Sequence, residues 1–206
     1  NWTVPTPIYR NDASLLNGNK QLAATASGGV GMSLDMTYFQ DADGRSYYAW
    51  QQLGATYIAT MDPKDPAHVT SSPVRIVTPE YAWNAAIAEG PNVTLRDGKL
   101  YLMFSGSGVG KTYTTGLAVA DASGTDLTDP ASWTVLNYPI QKSGPFNGEM
   151  QLGTGHGMWS EDEDGNQIYV FHAYATKNLG SVNAAGRDIF VRRVHWAAAG
   201  MPVFDM

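Results

Sequence analysis

Glu89-Gly90-Pro91-Asn92-Val93-Thr94-Leu95-Arg96-Asp97-Gly98 reads as a strand ending in a tight turn, and Lys99-Leu100-Tyr101-Leu102-Met103-Phe104 reads as the strand that returns. The pattern recurs twice. Asp35 heads a run that turns at Asp43-Gly44, and His156 heads one that turns at Asp164-Gly165. In all three, the ionisable residue stands eight positions before the turn Asp. The sixth residue after each turn Gly is Trp50, Phe104 and Phe171. The returning strands (Ser46-Tyr47-Tyr48, Leu100-Tyr101-Leu102, Ile168-Tyr169-Val170) are β-forming at successive positions rather than alternating. A sheet covered on both faces requires that. Each unit offers a third strand (residues 56–60, 116–120, 189–194) and a ragged fourth (74–77, 133–136, 202–204). Repeated units of four antiparallel strands predict an all-β fold, with each unit one blade of a β-propeller.

The blades span about 35–78, 89–140 and 153–206. Asp62-Pro63, Asp65-Pro66 and Asp129-Pro130 are read as breaks after third strands. Upstream, Trp2-Thr3-Val4 followed by Pro7-Ile8 echoes Trp133-Thr134-Val135 followed by Pro139-Ile140. Residues 1–34 are therefore expected to be the end of a preceding blade and a connection. Three and a fraction blades cannot close a ring, and an open propeller would expose apolar faces at both ends. The expected partner is thus the N-terminal part of the same propeller, as a separate chain or as a lost segment.

A chain of 206 residues can bury one sizeable core. Its net charge of −6 argues against nucleic acid or an anionic membrane surface as partner. No apolar run approaches the length of a membrane span. With no cysteine, neither thiolate chemistry nor a cysteine zinc site is available. Six Trp and eleven Tyr suit both an aromatic core and a surface that stacks on sugar rings.

In a propeller the innermost strand of each blade lines the central channel, so equivalent strand openings meet at one mouth. Asp35 and Glu89 are expected to converge there. Two carboxyl groups in a partly dry cleft do not both ionise cheaply, which keeps one protonated and able to act as a general acid.

The stretches Ser33-Leu34-Asp35-Met36-Thr37-Tyr38-Phe39, Glu89-Gly90-Pro91, Tyr101-Leu102-Met103-Phe104-Ser105, Gly153-Thr154-Gly155-His156 and Gly186-Arg187 resemble family 43 glycoside hydrolases. The likeness is strongest to the α-L-arabinofuranosidase branch of these five-bladed propellers. It implies a secreted, inverting hydrolase acting on arabinose-containing oligo- or polysaccharides, with a cytoplasmic location left open. By position, Glu89 matches the general acid and Asp35 the aspartate that raises its pKa and orients it. Arg187 matches an arginine that reaches the sugar. His156 matches a histidine that in many relatives helps hold a calcium or sodium ion in the channel, an ion not required for the chemistry. Trp50, Trp83, Phe39 and Ser105 are further candidates for sugar contact. The family's general base is an aspartate on a first blade that this sequence lacks. Asn11-Asp12-Ala13-Ser14 reads as a loop, so Asp12 is not assigned that role, and the 206 residues alone are expected to be inactive.

The plainer readings stand beside these. Trp50, with its counterparts Phe104 and Phe171, suits the core, and His172 reads as a satisfied core polar group. His156, without neighbouring carboxylates in sequence, suits a structural role as well as an ion-holding one. Three other functions stay open: β-xylosidase, arabinanase, and a carbohydrate-binding propeller without turnover. The related fructan-cleaving propellers carry Arg-Asp-Pro and Glu-Cys where this chain has Leu34-Asp35-Met36 and Glu89-Gly90.

Overall fold

The computed structural model describes residues 4, 6–14, 16, 33–175 and 186–204. They form three antiparallel sheets that follow one another along the chain. Sheet one contains β1 (Ser33–Gln40), β2 (Ser46–Gln52) and β3 (Ala55–Asp62), with β4 (Asp65–Val69) and β5 (Val74–Val77) both paired to β3. Sheet two contains β6 (Ala88–Arg96), β7 (Lys99–Gly106), β8 (Thr114–Asp121) and β9 (Thr134–Val135). In sheet three, β10 (Gly144–Phe146) precedes β11 (Glu149–Glu161), β12 (Gln167–Tyr174), β13 (Asp188–Trp196) and β14 (Pro202–Phe204).

The sheets stack face to face, as propeller blades do. Phe39, Tyr47 and Ile58 of sheet one pack with Leu100, Leu102 and Phe104 of sheet two. Tyr101, Met103 and Leu117 of sheet two pack with Trp159, Tyr169 and Phe171 of sheet three. Consecutive residues of β7 thus point into two different cores, and every residue from Leu100 to Gly106 is buried. That is why the strand reads as an unbroken apolar run. The inner strands β1, β6 and β11 lie beside one another.

Two local expectations change. Asp65-Pro66 does not break the blade: the chain turns at residues 63–64, and Asp65–Val69 returns as the edge strand β4. Proline is tolerated there because Pro66 falls in the irregular stretch between the two paired positions, Asp65 and Val69, where no ladder bond calls for an N–H. The three Asp-Gly turns also differ. Asp97-Gly98 is a two-residue hairpin with both φ angles positive, +47° and +74°. Asp43-Gly44 and Asp164-Gly165 sit inside longer loops, 41–45 and 162–166. Asp41 and Asp162 organise those loops by accepting backbone N–H bonds from residues 43 and 45, and from 164 and 166.

The two ends of the stack are not alike. On sheet one, the face carrying the fully buried Trp50 is covered by Ile8 and Leu16, while Tyr9 pairs in parallel with His68 on β4. The expected outer strand at Trp2-Thr3 and the connection at 18–31 lie outside the described residues. On sheet three the row Met158, Val170, Val191 runs across the far face, with Met158 and Val191 half exposed and Ile189 78% exposed.

Candidate active site

Each inner strand loses register, β1 and β6 once near their starts and β11 twice, the first time between Leu152 and Gly155. The equivalent breaks fall between Leu34 and Thr37, between Glu89 and Asn92, and between Gly155 and Met158. At each break two residues face one: Asp35-Met36 face Trp50, Gly90-Pro91 face Phe104, and His156-Gly157 face Phe171. A bulge of this kind bends the strand and re-aims a side chain. The first residue of each pair has positive φ: +58° at Asp35, +60° at Gly90 and +50° at His156. Asp and His enter that region more readily than most residues, and Gly enters it freely. The structural counterpart of Asp35 and His156 is therefore Gly90, and Glu89 stands one residue earlier. The equal count of eight residues arises because the shorter hairpin at 97–98 offsets a longer β6. The His156 ring also packs over Gly90, where a Cβ would lie 3.3 Å from it.

The bulges bring the carboxylates together. Asp35 Oδ2 accepts the Gly90 N–H at 3.2 Å. That N–H belongs to the peptide joining Glu89 to Gly90, so the aspartate grips the backbone beside the glutamate. Tyr113, fully buried just before β8, donates its hydroxyl to Glu89 Oε1 at 2.6 Å. The same hydroxyl lies 3.1 Å from His156 Nδ1, and His156 Nε2 is 3.6 Å from Asp35 Oδ1. Burial, then the charge of Glu89 and the bond to it, push the Tyr113 pKa up, so this phenol stays a donor. Behind it, the His172 ring stacks on Tyr113 and on His156, at centroid distances of 5.6 and 6.2 Å. Arg187 donates to His172 Nε2 at 2.7 Å. Burial, then the charge of Arg187, lower the His172 pKa to about 4. A neutral imidazole is what can accept that bond.

Asp35, Glu89, His156 and Arg187 thus gather in one cluster built from all three sheets. Ser105 lies directly beneath it, buried, where its Oγ accepts the His156 N–H at 2.7 Å. It holds the bulge rather than facing the opening. Trp50 and Phe39 do not join the cluster. Trp50 is fully buried, its indole N–H bonded to Gln52, and Phe39 is buried against Tyr47. Neither offers a ring face to a sugar, because in a sheet covered on both sides these positions point between blades. Trp83 is half-buried, stacked on Phe104 and bonded through its indole N–H to the Asn137 carbonyl. It lines an open groove of about 420 Å³ with Lys111, Thr112, Thr114 and Lys142, next to the segment that carries Tyr113.

The donor set around His156 does not fit a cation held by protein ligands. Among the described residues no three His, Asp or Glu side chains are grouped to surround an ion, and both ring nitrogens already face Tyr113 and Asp35. Calcium and sodium want oxygen cages, which one imidazole does not supply.

Tyr113 and His172 are the members that sequence reasoning missed. A trace of Tyr113 exists in the glycines: a Cβ on Gly155 would run into its ring. The run Gly153-Thr154-Gly155-His156-Gly157 therefore announces close packing without saying which ring does it.

Comparison with known proteins agrees with this architecture. The chain matches the glycosyl hydrolases family 43 over residues 19–202. It is 32% identical to an extracellular exo-α-(1→5)-L-arabinofuranosidase of Streptomyces avermitilis, covering 84% of this chain and 38% of that protein. It is 31% identical to α-L-arabinofuranosidase 43 of Humicola insolens, again over 84% of this chain and 38% of the relative. The crystal structure of an α-L-arabinofuranosidase from Lactobacillus brevis superposes with a TM-score of 0.74 at 28% identity, covering 84% of this chain and 56% of that one. The chain spans well under half the length of these two curated relatives. With three stacked blades, bulged inner strands and Asp35 bonded to the Glu89–Gly90 peptide, it belongs to the glycosyl hydrolases of family 43.

Proposed function

We propose that the complete protein releases terminal α-L-arabinofuranosyl units from arabinan or arabinoxylan with inversion. Glu89 is the general acid, and Asp35 is the carboxylate that orients it and sets its protonation. The observation that carries this reading is the contact of Asp35 with the Glu89–Gly90 peptide, beside the hydrogen bond that fixes Glu89. Arg187 and Trp83 are assigned to sugar binding. An inverting reaction also needs a base to activate water on the far side of the sugar. We assign that base to propeller blades outside these 206 residues, in the same polypeptide or another. The apolar row Met158, Val170, Val191 is surface such a blade would cover. The extracellular arabinofuranosidase of Streptomyces avermitilis supports secretion and this substrate class.

The test is the complete enzyme on an arabino-oligosaccharide, with the released sugar followed by proton NMR from the first turnovers. Arabinose appearing first as the β-anomer is expected. Initial release of the α-anomer would overturn inversion, and binding without release would favour a carbohydrate-binding propeller.

A further inference from the structure

We infer that Tyr113 is a positioning residue that fixes which oxygen of Glu89 delivers the proton. The inference rests on the reading of Glu89 as the acid and deepens it. The Tyr113 ring is set independently of the glutamate, packed against Gly155 on one side and stacked on His172. Its hydroxyl is therefore in place before Glu89 adopts any particular rotamer, and burial keeps the phenol proton on. The hydroxyl donates to Oε1 at 2.6 Å, and among the described residues no hydrogen bond reaches Oε2. A carboxylic acid held this way carries its transferable proton on Oε2. In the reaction the Oε2–H bond breaks as the glycosidic oxygen takes the proton, and Glu89 is left as a carboxylate. Tyr113 O–H then donates to a full negative charge, the stronger form of this bond. The hydroxyl thus contributes more as the proton leaves than before, which is the direction that lowers a barrier.

The same hydroxyl touches His156 Nδ1, and His156 faces Asp35. Asp35, His156, Tyr113 and Glu89 therefore form one chain of contacts joining the three sheets. Removing the hydroxyl cuts it at the acid while leaving the backbone bond from Gly90 to Asp35 intact.

The test compares the complete wild-type enzyme with Tyr113→Phe, Glu89→Gln and the double variant, on an arabino-oligosaccharide and on an activated aryl arabinofuranoside. Tyr113→Phe keeps the ring and its packing, and a thermal melt checks the fold. Expected for Tyr113→Phe is a fall in kcat on the oligosaccharide of roughly tenfold to a hundredfold, the scale of a hydrogen bond to a charged group. KM should hold, and the loss on the aryl substrate should be smaller. In the Glu89→Gln background the same change should add nothing, because the group it acts through is gone. An undiminished kcat, equal losses on both substrates, or the same loss in the Glu89→Gln background would overturn the inference. If Glu89→Gln shows the leaving-group dependence of an acid while Tyr113→Phe does not, the role of Tyr113 fails and the acid assignment stands. If Glu89→Gln itself falls equally on both substrates, the acid assignment fails and takes this inference with it.

Discussion

Glu89→Gln in the complete enzyme is expected to lose roughly 10²- to 10⁴-fold in kcat on arabino-oligosaccharides, the usual contribution of a positioned general acid. The substitution keeps the shape of the side chain and an oxygen that can accept the Tyr113 hydroxyl, now at 2.6 Å from Oε1. What it removes is the proton. A sugar alkoxide is a poor leaving group and needs that proton, whereas an activated phenolate departs with little help. The loss on a nitrophenyl arabinofuranoside should therefore be much smaller, with KM nearly unchanged on both substrates. Parallel steady-state measurements on the two substrates check this. Equal losses would mean that residue 89 binds or supports the site without supplying a proton.

Asp35 separates into two roles, and two substitutions distinguish them. Asp35→Asn keeps an oxygen to accept the Gly90 N–H and keeps a residue type that tolerates a φ of +58°. Only the charge goes. Roughly a hundredfold loss of kcat with an unchanged melting temperature is expected, on the scale seen when one preorganised electrostatic partner is removed from a site. Asp35→Ala removes the acceptor as well and places a side chain without local hydrogen bonding in the left-handed region, at a cost of about 1–2 kcal/mol. It should melt lower in addition to losing activity. Wild-type kcat in Asp35→Asn would show that the charge is dispensable and that Asp35 serves only to pin the Glu89–Gly90 peptide.

The blades were legible because covered sheets leave a plain mark. Ser46–Gln52 and Lys99–Gly106 have almost no exposed position, so their apolar residues run on without the polar alternation of a half-open sheet. Asp35, Glu89 and His156 stand out through their fixed distance to the turn; Asp35 and Glu89 lie near the heads of β1 and β6, whereas His156 lies midway along β11. The register among them was not legible. Counting back from Asp-Gly treats a two-residue hairpin and a five-residue loop as equal, and only the pairing of Arg96 with Lys99, against Gln40 with Ser46, separates them. Trp50 misled as a sugar platform because an aromatic facing a bulge looks the same in sequence whether it points along the channel or between blades. Its burial is decided by Ile8 and Leu16, distant in sequence. Tyr113 and His172 escaped because their importance lies in contacts between sheets; His172 stands in the repeat position of Gln51 and Ser105, but that position does not announce a contact with Tyr113 or Arg187. His172 reads as one more residue of an apolar strand until Arg187 is seen 2.7 Å from its Nε2.

Asp35 grips the Glu89–Gly90 peptide where β1 and β6 lie side by side, and the proposed chemistry requires Glu89 to face the scissile bond. A crystal structure of the complete Glu89→Gln variant with an uncleaved arabino-oligosaccharide tests it most directly. The glycosidic oxygen is expected within about 3 Å of the residue 89 side chain, with the terminal arabinofuranose beside Arg187 and Asp35. Sugar seated elsewhere, with residue 89 remote from the glycosidic oxygen, would contradict it.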